Sequence, residues 1–249
     1  MQGSDFFIGD DVLKAVLFIH GLSAKKEDNE YFIKRMKNYR NIKLFTFTLP
    51  GHENDIVTKV TSNEWLDKSE EELKKILIKY KKVTIVAHSM GTIIAINLAS
   101  KYKEVEKLVL ISSAFKFGNF KQNKKDLKNI LTKKVDNDIG NGFEGAFKKF
   151  VEIPKSVMIE YRRLADKNKE NISKIKCPVL LLHGDIDNVV STESSKYLYD
   201  NLNCEKELVI IKNVRHQIFK SNKKEIITKY IYNFITFNIL YKLSRKKEI

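Results

Sequence analysis

Short runs in which nearly every position is apolar alternate along this chain with longer stretches in which apolar residues recur every three or four positions. The first kind predicts strands buried on both faces of a parallel sheet, and the second predicts the helices that cover them. The predicted strands are residues 15–20, 43–48, 83–87, 107–111, 179–182 and 208–211. The predicted helices are residues 30–38, 64–80, 90–102, 194–201 and 223–240. Such alternation specifies an α/β fold, mostly parallel sheet flanked by helices, whose ligand crevices open at the carboxyl ends of the strands. Few residues precede the first strong strand, so any earlier strand is expected to be missing or reduced to residues 5–8.

The alternation breaks once, between about residue 115 and residue 174, where nearly 60 residues lie between two core strands. A structureless loop of that length is unusual in a compact domain. Within it Phe143, Phe147, Phe150 and Val151 fall at i, i+4, i+7 and i+8, the spacing of one apolar helix face. The predicted organisation is therefore a core of residues 1–114 and 175–249, with residues 115–174 inserted as a helical cap. Gly140, Gly142 and Gly145 give that insertion hinge freedom.

Candidate chemistry begins at residues 83–91, Val-Thr-Ile-Val-Ala-His-Ser-Met-Gly, where Ser89 stands at the bend between an apolar strand and an apolar helix. A bend this sharp tolerates only small residues two positions either side of the serine, and Ala87 and Gly91 meet that demand. A serine is a weak nucleophile without a base and an orienting acid, which in hydrolases of this strand-turn-helix type follow in the order serine, acid, histidine. Of the five histidines, His20, His52, His88, His183 and His216, only His216 closes that order. No strand end between residues 89 and 183 carries a carboxylate that could serve His183. The loop after the strand at 179–182 offers two acids, Asp185 and Asp187, and the residues alone do not choose between them.

Taken together these pieces resemble the α/β-hydrolases, and among them the small bacterial carboxylesterases and monoacylglycerol-lipase-like enzymes. The resemblance runs along nearly the whole chain: Phe6-Phe7, residues 15–21 ending in His20-Gly21, Leu49-Pro-Gly-His52, Trp65-Leu66, the Ala-His-Ser-Met-Gly bend, His183-Gly-Asp-Ile-Asp187, and His216. It implies an α/β-hydrolase fold in which Ser89 is the nucleophile, His216 the general base and then acid, and Asp187 the acid that orients the imidazole. Asp187 takes that role as the second aspartate of His-Gly-x-x-Asp, which leaves Asp185 as a turn residue accepting backbone N–H groups. An oxyanion hole needs one backbone N–H from the residue after the nucleophile, Met90, and one from the first strand-helix loop. The resemblance puts the second at Leu22, just after His-Gly. His20 and His88 read as buried braces of the two loops, and His52 as loop structure.

Composition narrows the setting. At 249 residues and 43% hydrophobic content the chain suits a single large α/β domain. Cys177 and Cys204 are far apart in sequence, without metal-ligand spacing, and read as free thiols of a reducing compartment. No phosphate loop, dinucleotide fingerprint, Cys-x-x-Cys or His-Glu-x-x-His appears, so no cofactor and no metal are expected. The first residues lack the charged and apolar regions of a signal peptide, and the apolar stretch at 230–241 is too short to span a bilayer, which predicts a cytoplasmic protein. The 46 Lys and Arg against 31 Asp and Glu give +15, of which residues 116–174 carry +7. That surplus reads as a compositional bias spread over solvated faces. It leaves a weak attraction to anionic membranes open, and without recognition motifs it predicts no nucleic-acid partner.

The expected function is hydrolysis of short-to-medium-chain carboxylic esters or monoacylglycerols, with Phe143, Phe147 and Met158 of the cap contacting the acyl chain. A thioesterase or amidase could use the same triad, and a non-catalytic binding scaffold is the reading from another class.

Overall fold

A computed structural model of the chain describes residues 13–24, 29–54, 57–116, 153–237 and 247–248. Six strands form the sheet: β1 (Lys14–Ile19), β2 (Ile42–Thr46), β3 (Val83–His88), β4 (Val105–Ile111), β5 (Val179–Gly184) and β6 (Lys206–Ile211). A two-residue strand, β7 (Lys247–Glu248), lies beside β6. The order is β2-β1-β3-β4-β5-β6-β7 and every pairing is parallel. Parallel strands need a covering layer on both faces, which is why β3 and β5 are buried at every position.

Side-chain alternation divides the core in two. Val16, Phe18, Val86, Val109, Leu180 and Val209 point to the face covered by α1 (Glu30–Lys37) and the last helix of the chain. Leu17, Ile85, Leu108, Leu181 and Leu208 point to the face covered by the remaining helices, among them α2 (Ser62–Leu77) and α3 (Gly91–Lys101). Helix α2 starts on a capping box: the Thr61 hydroxyl accepts from the Glu64 N–H while the Glu64 carboxylate accepts from the Thr61 N–H. Helix α3 is buried from Gly91 through Leu98, a helix apolar on all sides because α2 and a further helix cover what the sheet does not.

That further helix, α4 (Lys155–Asn168), is followed by a 3₁₀ segment at Lys169–Lys174, and both lie within the stretch expected to form the cap. Residues 117–152, including Phe143 and Phe147, lie outside the described residues. Val157, Tyr161, Leu164 and Ala165 place α4 in the same core cluster as Trp65 and Ile93, and Met158 is half-buried against that cluster. The Glu160 carboxylate accepts from the Ser62 N–H and hydroxyl, both at 3.0 Å, which ties α4 to the start of α2. The apolar face at 157, 161, 164 and 165 has the same i, i+4, i+7, i+8 spacing as the stripe at Phe143, so this helix is legible by the same rule.

Helix α5 (Glu193–Asn201) joins β5 to β6, and α6 (Lys224–Thr236) follows β6. The sequence predicts a last helix running to residue 240; the observed one ends at Thr236. Lys107, buried on β4, donates to the carbonyls of Phe234, Ile235 and Phe237 at 2.8, 3.0 and 3.2 Å, and this ammonium satisfies the C-terminal carbonyls that would otherwise continue the helix. No helix among the described residues is long and apolar enough to cross a membrane.

The strand ends set up the site. Ile19 pairs with Ala87, His88 with Ile111, Ile111 with Leu182, and Gly184 with Ile211. Five loops therefore leave the carboxyl edge side by side, and the chain changes direction between the neighbours β1 and β3, where open sheets form a crevice. Because Leu164 of α4 is fully buried in the core cluster, Leu164→Ala is expected to lower stability by about 2–5 kcal/mol, while Ile159→Ala, at a side chain 51% exposed, leaves it nearly unchanged. Urea unfolding of the two variants checks this; equal, small effects would contradict it.

Candidate active site

Between the last residue of β3, His88, and the threshold of α3 the backbone turns sharply at Ser89, whose φ of +52° lies in the left-handed region. For a residue with a Cβ this conformation costs roughly 1–2 kcal/mol. It is held by a hydrogen bond from the Ser89 N–H to the Ile111 carbonyl (2.8 Å) and by the Thr92 N–H and hydroxyl, which donate to the Ser89 carbonyl at 3.0 and 2.6 Å. Two glycines let the surrounding backbone close in. A Cβ on Gly91 would lie 2.6 Å from the Ile19 carbonyl oxygen, and one on Gly21 would lie 2.8 Å from Ser89 Cβ and 3.5 Å from Ser89 Oγ. The first loop thus runs directly against the serine.

Leu22 follows Gly21 and Met90 follows Ser89. Neither backbone N–H has a hydrogen-bond acceptor among the described residues. His20 pins the first loop: the Leu49 N–H donates to its Nε2 at 2.9 Å, so its proton sits on Nδ1 and goes to the Gly21 carbonyl, also at 2.9 Å.

The other half of the site comes from the ends of β5 and β6. His216 Nδ1 donates to Asp187 Oδ2 at 2.7 Å. Asp187 Oδ1 accepts the Val189 and Val190 N–H groups at 2.8 and 2.9 Å, and a second imidazole, His183 Nε2, approaches Oδ2 at 3.1 Å. Of the two carboxylates that the sequence leaves open, Asp187 meets His216. Asp185 instead accepts the Val214 N–H across the two loops. Those loops touch so closely that a Cβ on Gly184 would fall 2.1 Å from the Val214 carbonyl oxygen. The halves are joined at the His216 carbonyl, which accepts from His88 Nε2 (3.0 Å) and from the Ser112 hydroxyl (3.2 Å), one residue beyond β4. His216 is therefore anchored by its backbone to the residue immediately before Ser89.

With this arrangement of strands and loops, residues 14–153 match the family model described as alpha/beta hydrolase fold. The chain belongs to the α/β-hydrolase fold family. Residues 151–223 match a second model, described as serine aminopeptidase, S33. A relative from Mycoplasma pneumoniae named "Putative esterase/lipase 2" is 28% identical over 198 residues, which cover 72% of this chain and 73% of that protein. The monoacylglycerol lipase of Paleococcus ferrophilus superposes with a TM-score of 0.69 at 18% identity, covering 89% of this hydrolase and 93% of the lipase. A soluble variant of the monoglyceride lipase of Saccharomyces cerevisiae does so with a TM-score of 0.67 at 18% identity, covering 91% and 87%. At these identities the two structures share the fold.

Charge in the hydrolase's site follows from burial and neighbours. Burial pushes the Asp187 carboxyl up, but the His216 charge and the hydrogen bonds from His183 and His216 outweigh it and hold the group well below the usual carboxylate range. His88, fully buried and close to His216, is pushed down to about 3 and stays neutral. Burial also lowers His52, whose Nδ1 donates to the Pro50 carbonyl at 3.0 Å. Among the described residues no cluster of three or more His, Cys, Asp or Glu side chains could hold a metal ion. Two partners are not legible in the sequence: Ser112, because nothing local distinguishes it, and His183, because only the folded turn after β5 brings it beside Asp187.

The His88 shift carries a pH dependence. The unfolded chain protonates this ring near 6.5 and the folded one only near 3, so between those values the unfolded state binds more protons and stability falls as pH falls. One such group contributes about 1.4 kcal/mol per pH unit across that window. Asp187 adds a loss in the same direction below its ordinary 3.8. Replacing His88 with Gln, which retains a donor, is expected to flatten the decline between pH 6 and 4; urea midpoints that fall just as steeply as in the wild type would refute this.

Proposed function

We propose that this hydrolase cleaves carboxylic esters through an acyl-enzyme on Ser89. The observation that carries the reading is the chain of contacts from Asp187 to the His216 ring and from the His216 backbone to His88, the neighbour of Ser89. In this reading His216 takes the Ser89 proton as the hydroxyl attacks the ester carbonyl. The backbone N–H groups of Leu22 and Met90, at the amino end of α3, receive the developing negative charge, and donors of this kind contribute about 3 kcal/mol each to the transition state. Asp187, ionised and unable to turn, stabilises the imidazolium and keeps its other nitrogen aimed at the serine. His216 then protonates the leaving alcohol, and water repeats the sequence on the acyl-enzyme.

Short-to-medium acyl esters and monoacylglycerols are the substrates we assign, with the esterase and lipase names of the relatives in support. Phe143, Phe147 and Met158 are the acyl contacts in this proposal, and residues 115–174 supply the cover over Ser89. The two cysteines are free, which suits a cytoplasmic setting. The name of the model that matches residues 151–223 favours one second reading, cleavage of amides at the amino end of short peptides.

A panel of p-nitrophenyl esters of graded chain length, with aminoacyl p-nitroanilides beside them, separates the two. Ester turnover is expected to exceed anilide turnover, and Ser89→Ala is expected to lower kcat at least about 10⁴-fold and to abolish labelling by a fluorophosphonate. Residual ester turnover near wild type in Ser89→Ala would overturn the nucleophile, and a preference for the anilides would overturn the substrate class.

A further inference from the structure

The reaction just described leaves one fully buried imidazole of the site without a task. His183 is the penultimate residue of β5, and its ring is enclosed. Its Nε2 faces two acceptors, the Val190 carbonyl at 3.1 Å and Asp187 Oδ2 at 3.1 Å. Only a nitrogen bearing hydrogen satisfies two acceptors, so the proton sits on Nε2. The Nδ1 is then an acceptor, and the Ser195 hydroxyl, itself buried in the first turn of α5, donates to it at 2.7 Å.

We propose that His183, set in one tautomer by Ser195, is a positioning residue that fixes the Asp187 carboxylate for His216. A carboxylate accepts about four hydrogen bonds, and here all are N–H donors: Val189 and Val190 on Oδ1, His216 and His183 on Oδ2. The two backbone groups alone fix one oxygen. His183 shares the other with His216, so the carboxylate cannot swing away when His216 gains and gives up its proton. His183 also spreads the negative charge. Without it the charge falls more heavily on His216, which then holds its proton to higher pH, and the carboxyl of Asp187 itself protonates more readily. Both effects move the acidic limb of kcat/KM upward. The other titratable ring interacting with this group is His88, which stays neutral across that range.

This inference rests on the Ser89 reading, and the test separates the two. Steady-state kinetics against pH on a p-nitrophenyl ester, with fluorophosphonate labelling, are measured for the wild type, His183→Leu, His183→Gln and Ser195→Ala. His183→Leu is expected to lose tenfold or more in kcat, roughly what a small misplacement of a reacting group costs, with KM within about twofold. Its acidic limb is expected to rise by about half a pH unit or more. His183→Gln, whose amide nitrogen can reach where Nε2 stood, should recover much of both losses, and Ser195→Ala should shift the limb in the same direction by less. A folded His183→Leu with the wild-type limb, or a kcat loss that His183→Gln does not relieve, would reduce His183 to a packing residue and overturn the proposal. If His183→Leu does not fold, an unmoved limb in Ser195→Ala overturns it. A wild-type protein that neither labels nor turns over ester would instead overturn the Ser89 reading.

Discussion

A negative charge buried almost completely at the end of β5 governs how the carboxyl edge of this protein is built. Left alone, the Asp187 carboxylate would take up a proton, because an apolar surrounding penalises the charged form by several kcal/mol. Four N–H groups prevent this, two from the loop backbone and two from imidazoles. Each imposes its own geometry. The backbone pair fixes the turn at residues 187–190, His183 ties that turn to α5 through Ser195, and His216 draws in the loop after β6. Gly184 is part of the same constraint, since only a residue without a side chain lets the two loops meet at the Val214 carbonyl.

The strain at Ser89 is the counterpart on the β3 side. A serine in the left-handed region persists only where its surroundings over-determine it, and here the Ile111 carbonyl, the Thr92 side chain, Gly21 and Gly91 all do so. These contacts come from the end of β4, the loop after β1 and the first turn of α3, so the bend is a property of the assembled fold. The in-register strand ends are what let a local sequence of nine residues hold an otherwise unfavourable backbone.

The strands and most helices were legible because the sheet is covered on both faces, so β1, β3 and β5 are nearly continuous apolar runs. Boundaries were less so. The predicted last helix runs past the observed end at Thr236, because the group that meets its final carbonyls is Lys107, over a hundred residues away in sequence. Helix α4 lies within the stretch expected to be helical, and its own boundaries are legible from Val157, Tyr161, Leu164 and Ala165, which repeat the spacing of the aromatic stripe at Phe143. At the site, the order of serine, acid and histidine is a chain-order rule and so can be read from sequence, as can the demand for small residues at 87 and 91. The partners of Asp187 cannot be, since whether a histidine four residues before an aspartate turns toward it depends on a loop whose shape is set by α5.

The five histidines show how the protein divides its chemistry. All are buried. Four of them hydrogen-bond a backbone carbonyl: His20 that of Gly21, His52 that of Pro50, His88 that of His216, and His183 that of Val190. A neutral imidazole can do this without bringing a charge indoors. The arrangement works only while those rings stay neutral, and desolvation keeps His88 and His52 so. His216 is the exception on both counts. Its ring nitrogen meets a carboxylate, and at 7% exposure it is the least enclosed of the five. The His216 ring holds no loop carbonyl, whereas each of the other four rings is tied to the carbonyl it braces.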